Sequence, residues 1–165
     1  MKSNIFILCL IDELGINLAT EVANKLGLNF YNLSEAVTTP KPASHADLNK
    51  LIKNSNITKI CSEQLNIVGL LNNSVFYCNN FSLLSQNYLQ QLKQTCAVVY
   101  AEVDKSTYLE NEWQQNLNKA SKFKADVKVF ETRNKAYTNC ADVVIGVGDD
   151  VSPAAYKLIK KLEKL

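Results

Sequence analysis

At 165 residues the chain is long enough for one domain whose core needs no metal or disulfide to hold it. A composition of 47% hydrophobic and 21% charged residues is that of a soluble globular protein, and a formal net charge of +2 is too small for nucleic-acid binding by bulk electrostatics. The five cysteines, Cys9, Cys61, Cys78, Cys96 and Cys140, form no C-x-x-C pair, which argues against a disulfide framework and for free thiols in a reducing cytoplasm.

In chain order, the run Ile5–Leu10 predicts a buried strand. It is too short to span a bilayer and lacks the cleavage site of a signal peptide. The chain then turns directly into a helix, in which Leu14, Leu18, Val22 and Leu26 recur every fourth residue and Gly27 follows as a C-cap. A weaker strand is expected at Leu28–Tyr31. The loop around Thr38–Pro42 reads as an excursion, and the sole histidine, His45, follows it with no nucleophile or metal-ligand pattern nearby.

Ser74–Cys78 predicts another strand, with Asn72-Asn73 and Asn79-Asn80 as turn residues. Leu83, Leu84, Tyr88, Leu89 and Leu92 form a second helical stripe, and Ala97–Val103 a further strand. Lys119, Lys122, Lys124 and Lys128, with Phe123, Val127 and Phe130, read as a solvated helix face beside an apolar one. A last strand is expected at Asp142–Val147. The closing helix carries the stripe Ala155, Leu158, Ile159 and Leu162, with Ser152 expected as its N-cap and Pro153 in the first turn. Strands apolar throughout and separated by helices predict a single three-layer α/β/α domain over residues 1–165, with a five-stranded parallel sheet.

The junction of the first strand and helix is notable for what it lacks. No lysine or arginine lies between Lys2 and Lys25, and no serine or threonine between Ser3 and Thr20. A phosphate-binding loop at such a junction needs a Gly-rich turn, a lysine and a Ser or Thr for magnesium. Here Asp12 and Glu13 stand instead, and Asp12 is expected to cap the free N–H groups of the helix, making a self-occupied anion site.

Three segments carry a family resemblance. The first runs from Asn4-Ile5-Phe6-Ile7-Leu8 to Ala23-Asn24-Lys25-Leu26-Gly27-Leu28-Asn29-Phe30-Tyr31-Asn32. The second is Val98-Val99-Tyr100-Ala101-Glu102-Val103 with Thr107 and Leu109. The third is Arg133-Asn134-Lys135-Ala136-Tyr137 with Ala141-Asp142-Val143-Val144. In order and spacing the chain resembles the shikimate kinases, of the nucleoside-monophosphate-kinase-like branch of P-loop kinases. That resemblance implies a P-loop kinase fold and a register for the family's functional groups.

In that register the loop glycines fall on Cys9, Asp12 and Leu14, the loop lysine on Gly15 and the magnesium-binding hydroxyl on Ile16. The acidic pair after the second strand becomes Asn32 and Ser34. The glycine turn after the third strand becomes Asn79-Asn80-Phe81, with Phe81 intruding on the substrate pocket. Gln114 and Gln115 stand near the place of the lid arginines. Arg133, the only arginine, falls on a residue that grips the substrate carboxylate in the family.

The resemblance therefore implies a degenerate, catalytically inactive member acting through an unknown protein partner or a small carboxylate ligand, with Arg133 as the substrate-binding residue. No catalytic residue, cofactor, metal, nucleic acid or membrane is expected, and a homodimer is one form open to it. The alternatives are a divergent small-molecule phosphotransferase using the Lys119–Lys128 group, a carboxylate-binding sensor using Arg133, and a purely structural role. Against a ligand role, Arg133 can pair with Glu131 or Asp142. Asp12 and Glu13 can be an acid–base pair or first-turn charges, and Ser34 and Glu35 can replace lost acidic groups or start a short helix. Trp113, near Tyr108, is read as core or as a partner surface.

Overall fold

The computed structural model describes residues 2–33, 68, 71–78, 86–115 and 123–165. Five strands form one parallel sheet: β1 (Asn4–Cys9), β2 (Asn29–Asn32), β3 (Ser74–Cys78), β4 (Cys96–Glu102) and β5 (Val143–Gly146), in the order β2-β3-β1-β4-β5. Among the described residues, five helices accompany them: α1 (Asp12–Leu26), α2 (Gln86–Thr95), α3 (Lys105–Gln115), α4 (Phe123–Cys140) and α5 (Ser152–Leu162). The expected strands are all present, with bounds within one residue of those read from the sequence.

Burial explains the layering. Every residue of β1 and β3 is buried, which requires cover on both faces of the sheet. On one face Ile5, Ile7, Val75 and Val99 pack with Leu18 and Val22 of α1 and Ala155, Leu158 and Leu162 of α5. On the other, Phe6, Leu8, Phe76, Val98 and Tyr100 pack with Leu92 of α2 and Tyr137 and Cys140 of α4. Alternate residues of one strand therefore feed two different cores. Tyr137 meets Tyr100 edge-on at 5.4 Å between ring centroids, and the Tyr100 hydroxyl donates to Asn134 Oδ1 at 2.7 Å. Gly27 ends α1 in the left-handed conformation at φ 65°, where a side chain is strained, and its N–H reaches the carbonyls of Ala23 and Asn24.

One terminal detail departs from expectation. Ser152 is the first residue of α5, so the cap position falls on Val151, which offers no side-chain hydrogen bond. Asp150 does the work of a cap instead, its Oδ1 accepting from the Ser152 N–H at 3.0 Å. The Ser152 hydroxyl turns to Glu21 Oε1 at 3.4 Å.

Two polar side chains sew the lower edge of the sheet. Asn4 is 1% exposed; its Nδ2 donates to Leu71 O at 2.6 Å, and its Oδ1 accepts from the Ser74 N–H at 3.2 Å. Asp142 extends the β4–β5 ladder past its last backbone pair. Its own N–H donates to Val98 O at 2.7 Å while its carboxylate accepts from the Val98 N–H at 2.9 Å. Lys93 at 3.0 Å and Lys2 at 3.5 Å complete a charged clamp on that carboxylate. Among the described residues, no helix is long and apolar enough to cross a membrane.

The clamp predicts a pH-dependent contribution to stability. Partial burial pushes the Asp142 carboxyl upward, but the Val98 N–H, Lys93 and Lys2 outweigh it, and the group is held below the ordinary aspartate value. A lowered folded-state value stabilises fully above the ordinary value and is lost as pH falls through the folded one. Asp142→Ala, which leaves the Val98 N–H without its acceptor, is expected to cost about 1–3 kcal/mol at pH 7. In urea titrations the gap between variant and parent should narrow as pH drops below the ordinary aspartate value; a gap independent of pH contradicts the clamp.

Candidate functional site

In an open parallel sheet, ligands bind beyond the carboxyl ends of the strands, where successive connections leave a central strand in opposite directions. Here that strand is β1, flanked by β3 and β4. Only Leu10 and Ile11 separate the end of β1 from the start of α1. The helix thus begins almost at the rim of the sheet, and its first turn carries the carboxylates of Asp12 and Glu13. The Gly15 N–H donates to Ile11 O at 3.0 Å and is already part of the helix.

Asp12 does not occupy the cap position. That position falls one residue earlier, on Ile11, whose side chain has no polar atom and makes no cap hydrogen bond. As the first helical residue, Asp12 accepts at Oδ1 the hydroxyl of Tyr77, from the end of β3, at 2.7 Å. Burial, and then the Asp12 carboxylate, hold the Tyr77 hydroxyl proton far above the ordinary tyrosine range, so this hydroxyl donates and stays neutral. The Tyr77 ring lies against the backbone of Gly15: a Cβ there would collide with ring atom Cε2 and come within 2.8 Å of Cys9 Cβ. Cys9 itself is buried, and its thiol is pushed up to about 12 by that burial, which leaves it a packing group rather than a nucleophile.

On the β4 side of the same rim lies a cleft of about 430 Å³. Helix α1 gives it Ile11, Glu13, Leu14 and Asn17, and α3 gives it Thr107, Glu110, Asn111 and Gln114. Asp149, between β5 and α5, closes one side. Among the described residues, the lining holds three carboxylates, from three separate segments, and no lysine or arginine. Among the described residues, none of the three pairs with a cationic side chain, and no group of His, Cys, Asp and Glu is arranged to hold a metal ion.

The architecture has close counterparts among solved structures. A shikimate kinase from Bacteroides thetaiotaomicron superposes with a TM-score of 0.77 at 15% identity, over 99% of both chains. One from Aquifex aeolicus gives 0.74 at 16% identity, over 98% of this chain and 96% of its own. A third, from Acinetobacter baumannii in complex with shikimate, gives 0.70 at 13% identity, over 99% and 94%. The fold is that of the shikimate kinases. No protein-family model and no curated protein matches the sequence. Identities this low establish the shikimate-kinase fold alone, and the site residues must be judged one by one.

Arg133 sits half-buried on α4. The two carboxylates expected as its partners are engaged elsewhere: Glu131 with Lys105 at 2.8 Å, and Asp142 with Lys93 and Lys2. Its guanidinium acts electrostatically on Tyr108, whose hydroxyl is raised by burial and Glu112 while Arg133 pulls it down. Trp113 packs against the core shared by α1 and α5. Gln114 lines the cleft and Lys128 is exposed. Asn32 ends β2. Ser34, Glu35, His45, Cys61, Asn79, Asn80, Phe81, Lys119 and Lys122 lie outside the described residues.

Sequence reasoning treated Gly15 only as the place of a missing lysine. Its presence inside a helix, where glycine costs about 1 kcal/mol against alanine, was the available sign of a close approach. The lining residues Glu110 and Asp149 had no such sign, because the sheet alone brings α3 and the β5–α5 connection beside α1. Gly15→Ala is therefore expected to lose about 1–3 kcal/mol in urea unfolding by overpacking against Tyr77. A neutral or stabilising result, as for an ordinary helical glycine, would contradict the contact.

Proposed function

We propose that this chain is a catalytically inactive shikimate kinase-like protein, a pseudoenzyme of the cytoplasm that acts by binding a protein partner or a small molecule. The observation that carries the reading is the start of α1. In the register of the family resemblance, Gly15 takes the place of the loop lysine and Ile16 that of the magnesium-binding hydroxyl. The Gly15 N–H is already bonded to Ile11 O, so it is not offered to a phosphate. The Tyr77 ring fills the space over it.

The residues present do not fit a magnesium nucleotide. Phosphoryl transfer depends on cations and oriented N–H groups around a highly charged transferring group. The first turn of α1 instead carries Asp12 and Glu13, and among the described residues the neighbouring cleft adds Glu110 and Asp149 with no lysine or arginine. Carboxylates at the start of the helix repel a polyphosphate, and no catalytic or cofactor-binding residue is assigned. In a calorimetric titration, Mg-ATP should give no saturable heat, and a coupled assay with shikimate should stay at the blank. Turnover above the blank that Arg133→Ala abolishes would overturn the reading.

A second reading, a carboxylate-binding sensor, is favoured by one observation: neither Glu131 nor Asp142 occupies the Arg133 guanidinium. A planar fork on a half-buried helix face suits a carboxylate in a way a lysine does not. On this reading shikimate binds without nucleotide, and Arg133→Lys weakens it by about tenfold, the loss of one charge-assisted hydrogen bond. Equal affinity in the lysine variant would exclude Arg133 from the site.

A further inference from the structure

We propose that Lys161 guards the outer edge of β5, and that this edge, once unguarded, pairs with β5 of a second copy of the chain. The device is independent of the catalytic reading above.

Among the described residues β5 is the last strand of the sheet, beyond β4, so one side of it has no strand neighbour. Its register pairs Val143 with Val99 and Ile145 with Ala101, and the Val147 N–H donates to Glu102 O at 2.9 Å. Backbone groups alternate in direction along a strand. Val143, Ile145 and Val147 therefore turn theirs to β4, while Val144 and Gly146 turn theirs outward. One of the outward groups is taken: Lys161 of α5 donates from Nζ to Val144 O at 3.0 Å. The neighbours of Lys161 fix its place, since Leu158 and Leu162 of the same helix are buried in the core beneath the sheet.

The sequence of this edge explains why a guard is needed. Val143–Gly148 holds no charge and no proline and is rich in β-branched residues, the composition of segments that pair with strands of other chains when exposed at an edge. Asp142 and Asp149 bracket it, in the manner of charged gatekeepers. Gly146 leaves the edge open: among the described residues, a Cβ built there meets nothing within 4 Å. The edge is also self-complementary. In an antiparallel pairing about a two-fold axis at Ile145, Val144 of one copy stands opposite Gly146 of the other, and each such pair exchanges both N–H···O bonds. An incoming strand reaches Val144 O only by displacing the Lys161 ammonium, and burial of that charge without a partner opposes it.

Sedimentation equilibrium of the full chain reads the device directly. Lys161→Met keeps the apolar stem and drops the ammonium. Its mass should rise with concentration toward twice the 18.4 kDa of the parent, an association at least tenfold tighter than the parent shows. Lys161→Arg retains a donor and should behave as the parent does. Lys157→Met makes the same exchange one turn earlier, also at an exposed position of α5, and should leave the mass unchanged. Adding Gly146→Pro to Lys161→Met removes an outward N–H that the β4 ladder does not use and should restore the parent mass. Circular dichroism verifies each fold. A Lys161→Met mass equal to the parent's, equal association in Lys161→Arg or Lys157→Met, association that survives Gly146→Pro, or assembly running past twice the monomer mass would each overturn the proposal.

Discussion

Helix α1 runs so close to the end of β3 that the Tyr77 ring occupies the place of a Gly15 side chain. Much of the upper rim follows from that approach. It holds the start of α1 against the sheet, directs the Tyr77 hydroxyl onto Asp12, and closes the space between strand and helix with an aromatic ring. A loop that wraps a phosphate requires room and unpaired N–H groups at this junction. A two-residue connection followed at once by helix, with the Tyr77 ring against Gly15, leaves little of that room.

The rest of the molecule is built around β1 and its two neighbours. Because its alternate side chains serve two cores, no register slip of β1 is tolerated: a shift of one residue would send the Ile5, Ile7 and Cys9 set to the opposite face. The polar groups at the lower edge reinforce the same register. Asn4 is committed to Leu71 and Ser74, and Asp142 to both backbone groups of Val98. The scaffold is over-determined at the bottom and acidic at the top, where Glu13, Glu110 and Asp149 line the cleft.

Most of the fold was legible in the sequence because it is written in local pattern. Continuous apolar runs marked the strands, the fourfold recurrence of Leu14, Leu18, Val22 and Leu26 marked α1, and Gly27 marked its end. Caps were less legible. Ser152 and Asp12 each fell one residue inside the helix they were expected to cap, and a shift of one residue replaces the capping oxygen by Val151 or Ile11. The site was least legible, because it is made by pairs far apart in the chain, such as Tyr77 with Asp12 or Asp149 with Glu110. No local pattern carries that information; only the strand order brings such pairs together. Arg133 stood out by composition, yet its freedom from Glu131 and Asp142 depended on where Lys105, Lys93 and Lys2 reach.

The central position of β1 also bears on how the chain comes to be made. During synthesis Asn4–Cys9 emerges before both of its partners, a six-residue strand buried along its whole length in the finished protein. Its two partners are β3, pairing from Ser74, and β4, pairing from Cys96. Until those segments leave the ribosome the most apolar strand has no edge to join, and at elongation rates of about 5–20 residues per second it waits for several seconds. The arrangement that gives the finished sheet its fixed register thus leaves the nascent chain with an unpaired, aggregation-prone strand until β3 and β4 have been made.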